Sequence, residues 1–192
     1  MTLATKSLII ANVVIFVLCA ITVPGQALYE YLALWPFPHT RVWQLISYGF
    51  LHGGLLHLAF NMLGFWIFGR VVERRWGSTR YFAYYFVCVI GAAVVSLFTS
   101  YLLGHTQITI GASGGVLGLV LAFGLMFPDA RLVLFPIPYP VKAKWALVGF
   151  VVVSVALIAT DALPRIAHYA HLGGMVSGWI LIQYWRRTST QF

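Results

Sequence analysis

The chain has 192 residues, of which 61% are hydrophobic and 8% charged, and its mean hydropathy is +0.90. A soluble domain carries roughly a quarter of its residues as charges, so no water-facing shell can be built from this composition and a polytopic membrane protein is expected. Twelve Lys and Arg against four Asp and Glu leave a formal charge of +8. Because the basic residues form no aromatic-interleaved face, that charge does not point to nucleic acid.

Six stretches read as membrane helices: 8–23, 54–70, 80–102, 112–127, 145–161 and 168–185, several near the short end of the ~17–25 residues a span needs. The expected fold is all-α, a compact bundle of six transmembrane helices forming one domain over residues 1–192. Lys6 ahead of the first apolar run, with small residues near Gly25 and Ala27, also resembles a secretory signal. The polytopic remainder favours an uncleaved anchor.

Between the first two spans, Pro24, Pro36, Pro38, Glu30, His39 and Arg41 interrupt the apolar pattern, while Tyr29, Tyr31, Trp35, Phe37, Trp43 and Tyr48 crowd it. Amphipathic rings of this kind prefer the headgroup boundary. Residues 25–53 are therefore expected as a loop half-sunk in one leaflet, with a short interfacial helix.

If the N-terminus is cytoplasmic, Lys6, Arg70, Arg74, Arg75, Arg80, Arg131, Lys142, Lys144, Arg186 and Arg187 all fall inside, leaving Arg41 and Arg165 outside. That is the bias of the positive-inside rule, and it puts both termini in the cytoplasm. The +8 charge then reflects topology and an anionic inner leaflet. Cys19 and Cys88 lie within predicted spans, where they pack as small apolar residues and do not suggest a disulfide framework.

Polar residues inside spans are costly and point to function. Ser113 opens the fourth span, 14 residues before Phe127, and His171 lies 14 residues before Trp185; each interval is about 21 Å of helix. Both helices run inward, so the two residues share a level roughly 9 Å below the outer edge of a ~30 Å core. His57, about 20 Å before Arg70 on the second span, joins that layer. Gly114 and Gly118 beside Ser113, and Gly174 and Gly178 on the face of His171, are small-xxx-small pairs that permit close helix approach.

A serine hydroxyl needs a base to become a nucleophile, and histidine, with an ordinary pKa near 6.5, is suited to the task. Glu30, Glu73, Asp129 and Asp161 are the only acids in the chain, and their positions do not favour orienting His171. A Ser-His dyad is therefore expected in preference to a triad. Acyl transfer also requires oxyanion donors. His57 and Asn61, at i and i+4, share a helical face, and the backbone N–H of Ser113 adds a donor at a helix N-terminus. Gly111 permits the tight approach to that helix.

The chain resembles the rhomboid intramembrane serine proteases over about Trp43 to Gly178, in the GxSG of Gly111 to Gly114, the HxxxN of His57 and Asn61, and the AHxxGxxxG of Ala170, His171, Gly174 and Gly178. The resemblance implies Ser113 as nucleophile, His171 as general base, His57 with Asn61 as oxyanion donors, and transmembrane protein helices as substrates in a lipid bilayer. It implies neither cofactor nor metal. Two departures stand out: Gln44 follows Trp43 where relatives carry arginine, and Leu117 occupies a position that is commonly aromatic and could stack on the histidine.

Taken singly, Ser113 reads as a helix-packing serine, His171 equally as a satisfied structural histidine or a base, and for His57 with Asn61 a helix pin is the lesser alternative. Their common depth argues against coincidence. His168 reads as structural or solvent-facing, and His52 as interfacial or supporting. Rival readings are a non-catalytic rhomboid-like protein that binds transmembrane clients, and a metal or haem protein using His52, His57, His168 and His171. The latter lacks HExxH and accompanying acidic or thiolate ligands. The expected setting is a prokaryotic plasma membrane, with the site opening outward between the second and fifth spans and the Gly104 to Ile110 loop supporting it.

Overall fold

The computed structural model describes residues 2–21, 25–104, 106–133, 138–160 and 165–188. Pro24, His105, Asp161 and the last residues of the first and fifth predicted spans lie outside these.

Apolar runs become helices wherever backbone groups must be satisfied within the segment, as they must in hydrocarbon. The chain forms α1 (Leu3–Ile21), α2 (Gly25–Leu32), α3 (Gln44–Ser47), α4 (Leu55–Gly64), α5 (Arg70–Trp76), α6 (Ser78–Leu103), α7 (Ser113–Met126), α8 (Ala143–Thr160) and α9 (Arg165–Thr188). A π-helical turn at Phe65–Gly69 joins α4 to α5 into one rod. Each of the six predicted stretches coincides with a helix or rod, and most run a few residues further because Lys, Arg and Trp at the ends extend the helix beyond its apolar part. Among the described residues three of them, Leu3–Ile21, Leu55–Trp76 and Ser78–Leu103, are long and apolar enough to cross a membrane; Ser113–Met126 and Ala143–Ala159 are shorter apolar helices. A small antiparallel pairing of β1 (Arg131–Leu132) with β2 (Val141–Lys142) precedes α8, an element that apolar patterning does not foresee. Beside it, Lys144 and Lys142 hold Asp129 at 2.9 and 3.1 Å, and these hydrogen bonds keep its carboxyl below the ordinary range.

Polarity is arranged for lipid. Val14 and Val17 on α1, Val148, Val152 and Val155 on α8, and Trp179 and Ile180 on α9 are exposed, whereas Asn12, Ser96, Ser100 and Ser154 are buried. The centre is the packing of α6, α7 and α9, with Tyr81, Tyr84, Tyr85 and Cys88 fully interior. In lipid, apolar burial gives no drive for helices to associate, so close van der Waals fit must supply it. A Cβ at Gly174 would lie 2.8 Å from the carbonyl carbon of Gly114 and 3.0 Å from its Cα, so the backbones of α7 and α9 touch there. The second glycine of each pair faces elsewhere. Gly118 and Gly178 both receive Cys88 and Tyr84 of α6, and the Tyr84 hydroxyl donates to the Gly118 carbonyl at 2.7 Å.

Glu73 fastens the N-terminus of α1. Its 3%-exposed carboxylate accepts the backbone N–H of Ala4 and Thr5 at 2.8 Å each, the Thr5 hydroxyl at 2.7 Å and the Ser78 hydroxyl at 2.8 Å. A carboxylate suits a helix N-terminus because it satisfies donors that have no partner inside the helix and complements the dipole.

Candidate active site

Gly111 adopts φ +118°, a conformation that L side chains rarely reach, and turns the chain into α7. A Cβ there would also stand 2.9 Å from His57 Nε2 and 3.7 Å from Ser113 Oγ. Glycine is thus required for backbone conformation and for space, and the absent side chain leaves the gap between those two groups. Ser113 begins α7, where the first N–H groups have no partner within the helix.

His171 is carried on α9 at the same level, and its Nε2 lies 2.8 Å from Ser113 Oγ. The bond spans 58 residues of sequence and is partly buried. Ala170 lies behind it, its carbonyl near Gly114. A cavity of about 240 Å³ fronts the pair, lined by Tyr48, His57, Ile108, Gly111, Ser113 and His171 among others.

His57 Nδ1 accepts the Gly53 backbone N–H at 3.4 Å, which leaves the ring proton on Nε2, the nitrogen beside Gly111. Asn61 is 5% exposed, and its Nδ2 donates to the His57 carbonyl at 2.8 Å. It does not line the cavity, so the structure sets His57 beside Ser113 while holding Asn61 one helical turn behind. One amide hydrogen is committed to the helix, and the other is left over.

The described acids lie elsewhere: Glu73 is held at α1, Asp129 by its lysines, and Glu30 sits on α2. His171 Nδ1 is buried without a hydrogen-bond partner among the described residues. Its ring is met by two others, His168 edge-on at 6.0 Å and Phe150 of α8 tilted at 6.2 Å. Phe150 supplies from α8 an aromatic neighbour that Leu117 cannot supply from α7. No sequence signal singles it out, since Phe150 sits in a uniformly apolar run.

Two further residues escape sequence reasoning. Tyr48, expected at the headgroup boundary with the other loop aromatics, is 2% exposed. Its hydroxyl donates to the Val89 carbonyl at 2.7 Å, and its own carbonyl accepts the Gly111 N–H at 3.0 Å, so it ties the first loop to the approach to Ser113. Gln44 is buried, and its amide receives the Arg41 N–H at 3.0 Å and donates to the Tyr31 carbonyl at 3.3 Å. It secures the loop internally where an arginine would otherwise be. His52 is also interior, at 5% exposure, with its ring edge-on to His57 at 5.0 Å. Burial, reinforced by the neighbouring His57, pushes its pKa down to about 4. In the loop after α6, Gln107 to Ile110 line the cavity, and Thr109 pairs with Leu34 through reciprocal backbone bonds of 2.9 and 3.1 Å.

Residues 39–188 match the model of the rhomboid domain. The chain belongs to the rhomboid family. RHOMBOID-like protein 5 of Arabidopsis thaliana is 33% identical over 139 residues, covering 72% of this chain and 42% of that protein. The mitochondrial Rhomboid protein 1 of Saccharomyces cerevisiae is 32% identical over 172 residues, 87% of this chain and 49% of its own length. Rhomboid protease GlpG of Serratia proteamaculans is 29% identical over 193 aligned positions, covering 90% and 59%. The chain spans about half the length of the curated relatives it matches. Within this rhomboid domain, the three motifs fall on α4, on α7 with the turn before it, and on α9, and His57, Ser113 and His171 from them line one cavity.

Proposed function

We propose that this rhomboid is an intramembrane serine endopeptidase that hydrolyses peptide bonds in or near transmembrane segments of other proteins. The observation that carries the reading is the 2.8 Å contact between His171 Nε2 and Ser113 Oγ, at the wall of a cavity, in a chain with 61% hydrophobic residues. A histidine within hydrogen-bond reach of a serine, with a space beside both for a reacting atom, is the geometry acyl transfer requires.

The chain is read as one six-span domain over residues 1–192. Both termini lie in the cytoplasm of a prokaryotic plasma membrane, the first loop is embedded in the outer leaflet, and the cavity opens outward. A substrate helix unwinds locally, since a regular helix hides its carbonyls in its own hydrogen bonds. It reaches the site between the α4–α5 rod and α8. Ser113 Oγ attacks the carbonyl carbon while its proton passes to His171 Nε2. The oxyanion takes hydrogen bonds from the Ser113 N–H and from Nε2 of His57, while Asn61 holds the His57 carbonyl and offers its second amide hydrogen. His171 then gives the proton to the departing amine, and water, deprotonated by the same nitrogen, releases the acyl group. Gly111, Gly114, Gly174 and Gly178 act as supports, since each stands where a side chain would force groups apart.

The test is labelling with a fluorophosphonate probe in proteoliposomes. An adduct on Ser113, absent in Ser113→Ala, is expected. A folded sample without the adduct would support the non-catalytic client-binding reading instead.

A further inference from the structure

Arg41 and Glu30 line one cleft of about 500 Å³ in the first loop, together with Tyr31, Trp35 and His39. The two are opposite in charge and share the space, yet they form no ion pair with each other or with any other described residue. The Arg41 guanidinium carbon lies 5.8 Å from the centroid of the Tyr31 ring and 5.4 Å from that of the Trp43 ring, cation–π distances that satisfy none of its five N–H donors with an oxygen. Arg41 also borders a second cleft, of about 490 Å³ and almost wholly apolar, where Phe37, Val42 and Leu45 of the loop face Val94, Leu97 and Phe98 of α6. Val94 and Phe98 are 52% and 61% exposed along this groove. A polar cleft with separated positive and negative groups therefore meets an apolar groove at one arginine.

We propose that this junction binds one glycerophospholipid with a zwitterionic, primary-amine headgroup. The phosphate rests on Arg41, the ammonium on Glu30, and one acyl chain lies in the groove against α6. The inference rests on the membrane-embedded reading of the first loop given above. A guanidinium binds phosphate oxygens through paired N–H donors, and a carboxylate with neighbouring aromatic faces suits an ammonium. One positive and one negative side chain lining the same cleft without pairing complement a zwitterion, which carries one charge of each sign. Phosphatidylglycerol would set the same phosphate on Arg41 but bring only neutral hydroxyls to Glu30, and so forgoes the ammonium–carboxylate pair. The groove supplies shape for a chain and the cleft supplies sign for a headgroup; neither alone would select a lipid.

Native mass spectrometry of the full chain in detergent, titrated with phosphatidylethanolamine or phosphatidylglycerol, tests the site. One saturable phosphatidylethanolamine adduct is expected, with phosphatidylglycerol retained about tenfold more weakly. Arg41→Gln should weaken the first adduct by about tenfold, Glu30→Gln should erase the preference between the lipids, and Val94→Trp, which fills the groove, should remove both. Equal retention by wild type and Arg41→Gln, or by wild type and Val94→Trp, would overturn the proposal, as would stepwise adducts with no saturable first one. Fluorophosphonate labelling of Ser113 in the same samples separates the two readings. Labelled Arg41→Gln with weakened lipid retention supports the lipid site. An unlabelled wild type that still binds one lipid sinks the peptidase reading and leaves the lipid site standing.

Discussion

Gly174→Ala places a methyl group where α9 touches α7. The added Cβ would lie 2.8 Å from the Gly114 carbonyl carbon, against a comfortable 3.4 Å or more, and closer still to the carbonyl oxygen. The contact is backbone, so no side chain can swing away, and the helices must part by about 0.6 Å or more. His171 lies one turn from Gly174 on the same face, so that displacement falls on the bond to Ser113 and lengthens it from 2.8 Å towards 3.4 Å. A hydrogen bond at that separation is weak, and misplacement of reacting groups by around 1 Å can cost about a hundredfold in rate. Overpacking of this kind costs about 1–3 kcal/mol in stability. The assay is the rate of cleavage of a single-span model substrate in proteoliposomes, with thermal unfolding in detergent alongside. Gly149→Ala is the control, since a Cβ there meets nothing within 4 Å. Cleavage by Gly174→Ala within twofold of wild type, about 0.4 kcal/mol, would refute the claim that this contact sets the dyad distance.

Ser113→Ala and His171→Ala should each abolish cleavage while leaving thermal unfolding near that of wild type; retained activity in either would remove the dyad. Glu73→Ala strips the partners from two backbone N–H groups of α1 and two hydroxyls, and should destabilise the protein by about 3 kcal/mol, read as a lowered unfolding midpoint with the Ser113 adduct still formed at low temperature. His52 contributes a pH dependence of definite sign. Its folded pKa, about 4, lies below the ordinary 6.5, so the unfolded chain takes up the proton first as pH falls. The stability it confers is complete above pH 6.5 and is lost as pH drops through about 4, amounting to about 3 kcal/mol. Unfolding of wild type and His52→Phe compared at pH 7 and pH 4.5 checks this, and parallel pH slopes would contradict it.

Much of the site could be read along the chain. Counting helix rise from the basic ends of each span puts Ser113, His171 and His57 in one layer because the rise per residue is nearly constant, and all three line one cavity. The glycine pairs announced close approach, and for Gly114 and Gly174 they also identified the right partners. For Gly118 and Gly178 they did not, because a 3.6-residue period assigns a residue to a face but says nothing of which helix covers that face. Tyr48 differs from expectation for a similar reason: an aromatic-rich loop suits a headgroup boundary, and only the closure of that loop onto α6 and Gly111 makes the ring interior.

Composition and patterning by themselves determined that the solvent for this chain is lipid and where its helices lie, and they set Ser113, His171 and His57 apart as polar residues in apolar helices. Tertiary structure alone decided the lateral neighbours: Phe150 at the ring of His171, Glu73 at the start of α1 across 69 residues, Gln44 inside the loop in place of an arginine, and Arg41 at the meeting of two clefts. Depth follows from local geometry that every helix shares. Lateral contact follows from the fit of distant surfaces, where one hydrogen atom on a glycine allows backbones to touch and a methyl group would keep them apart.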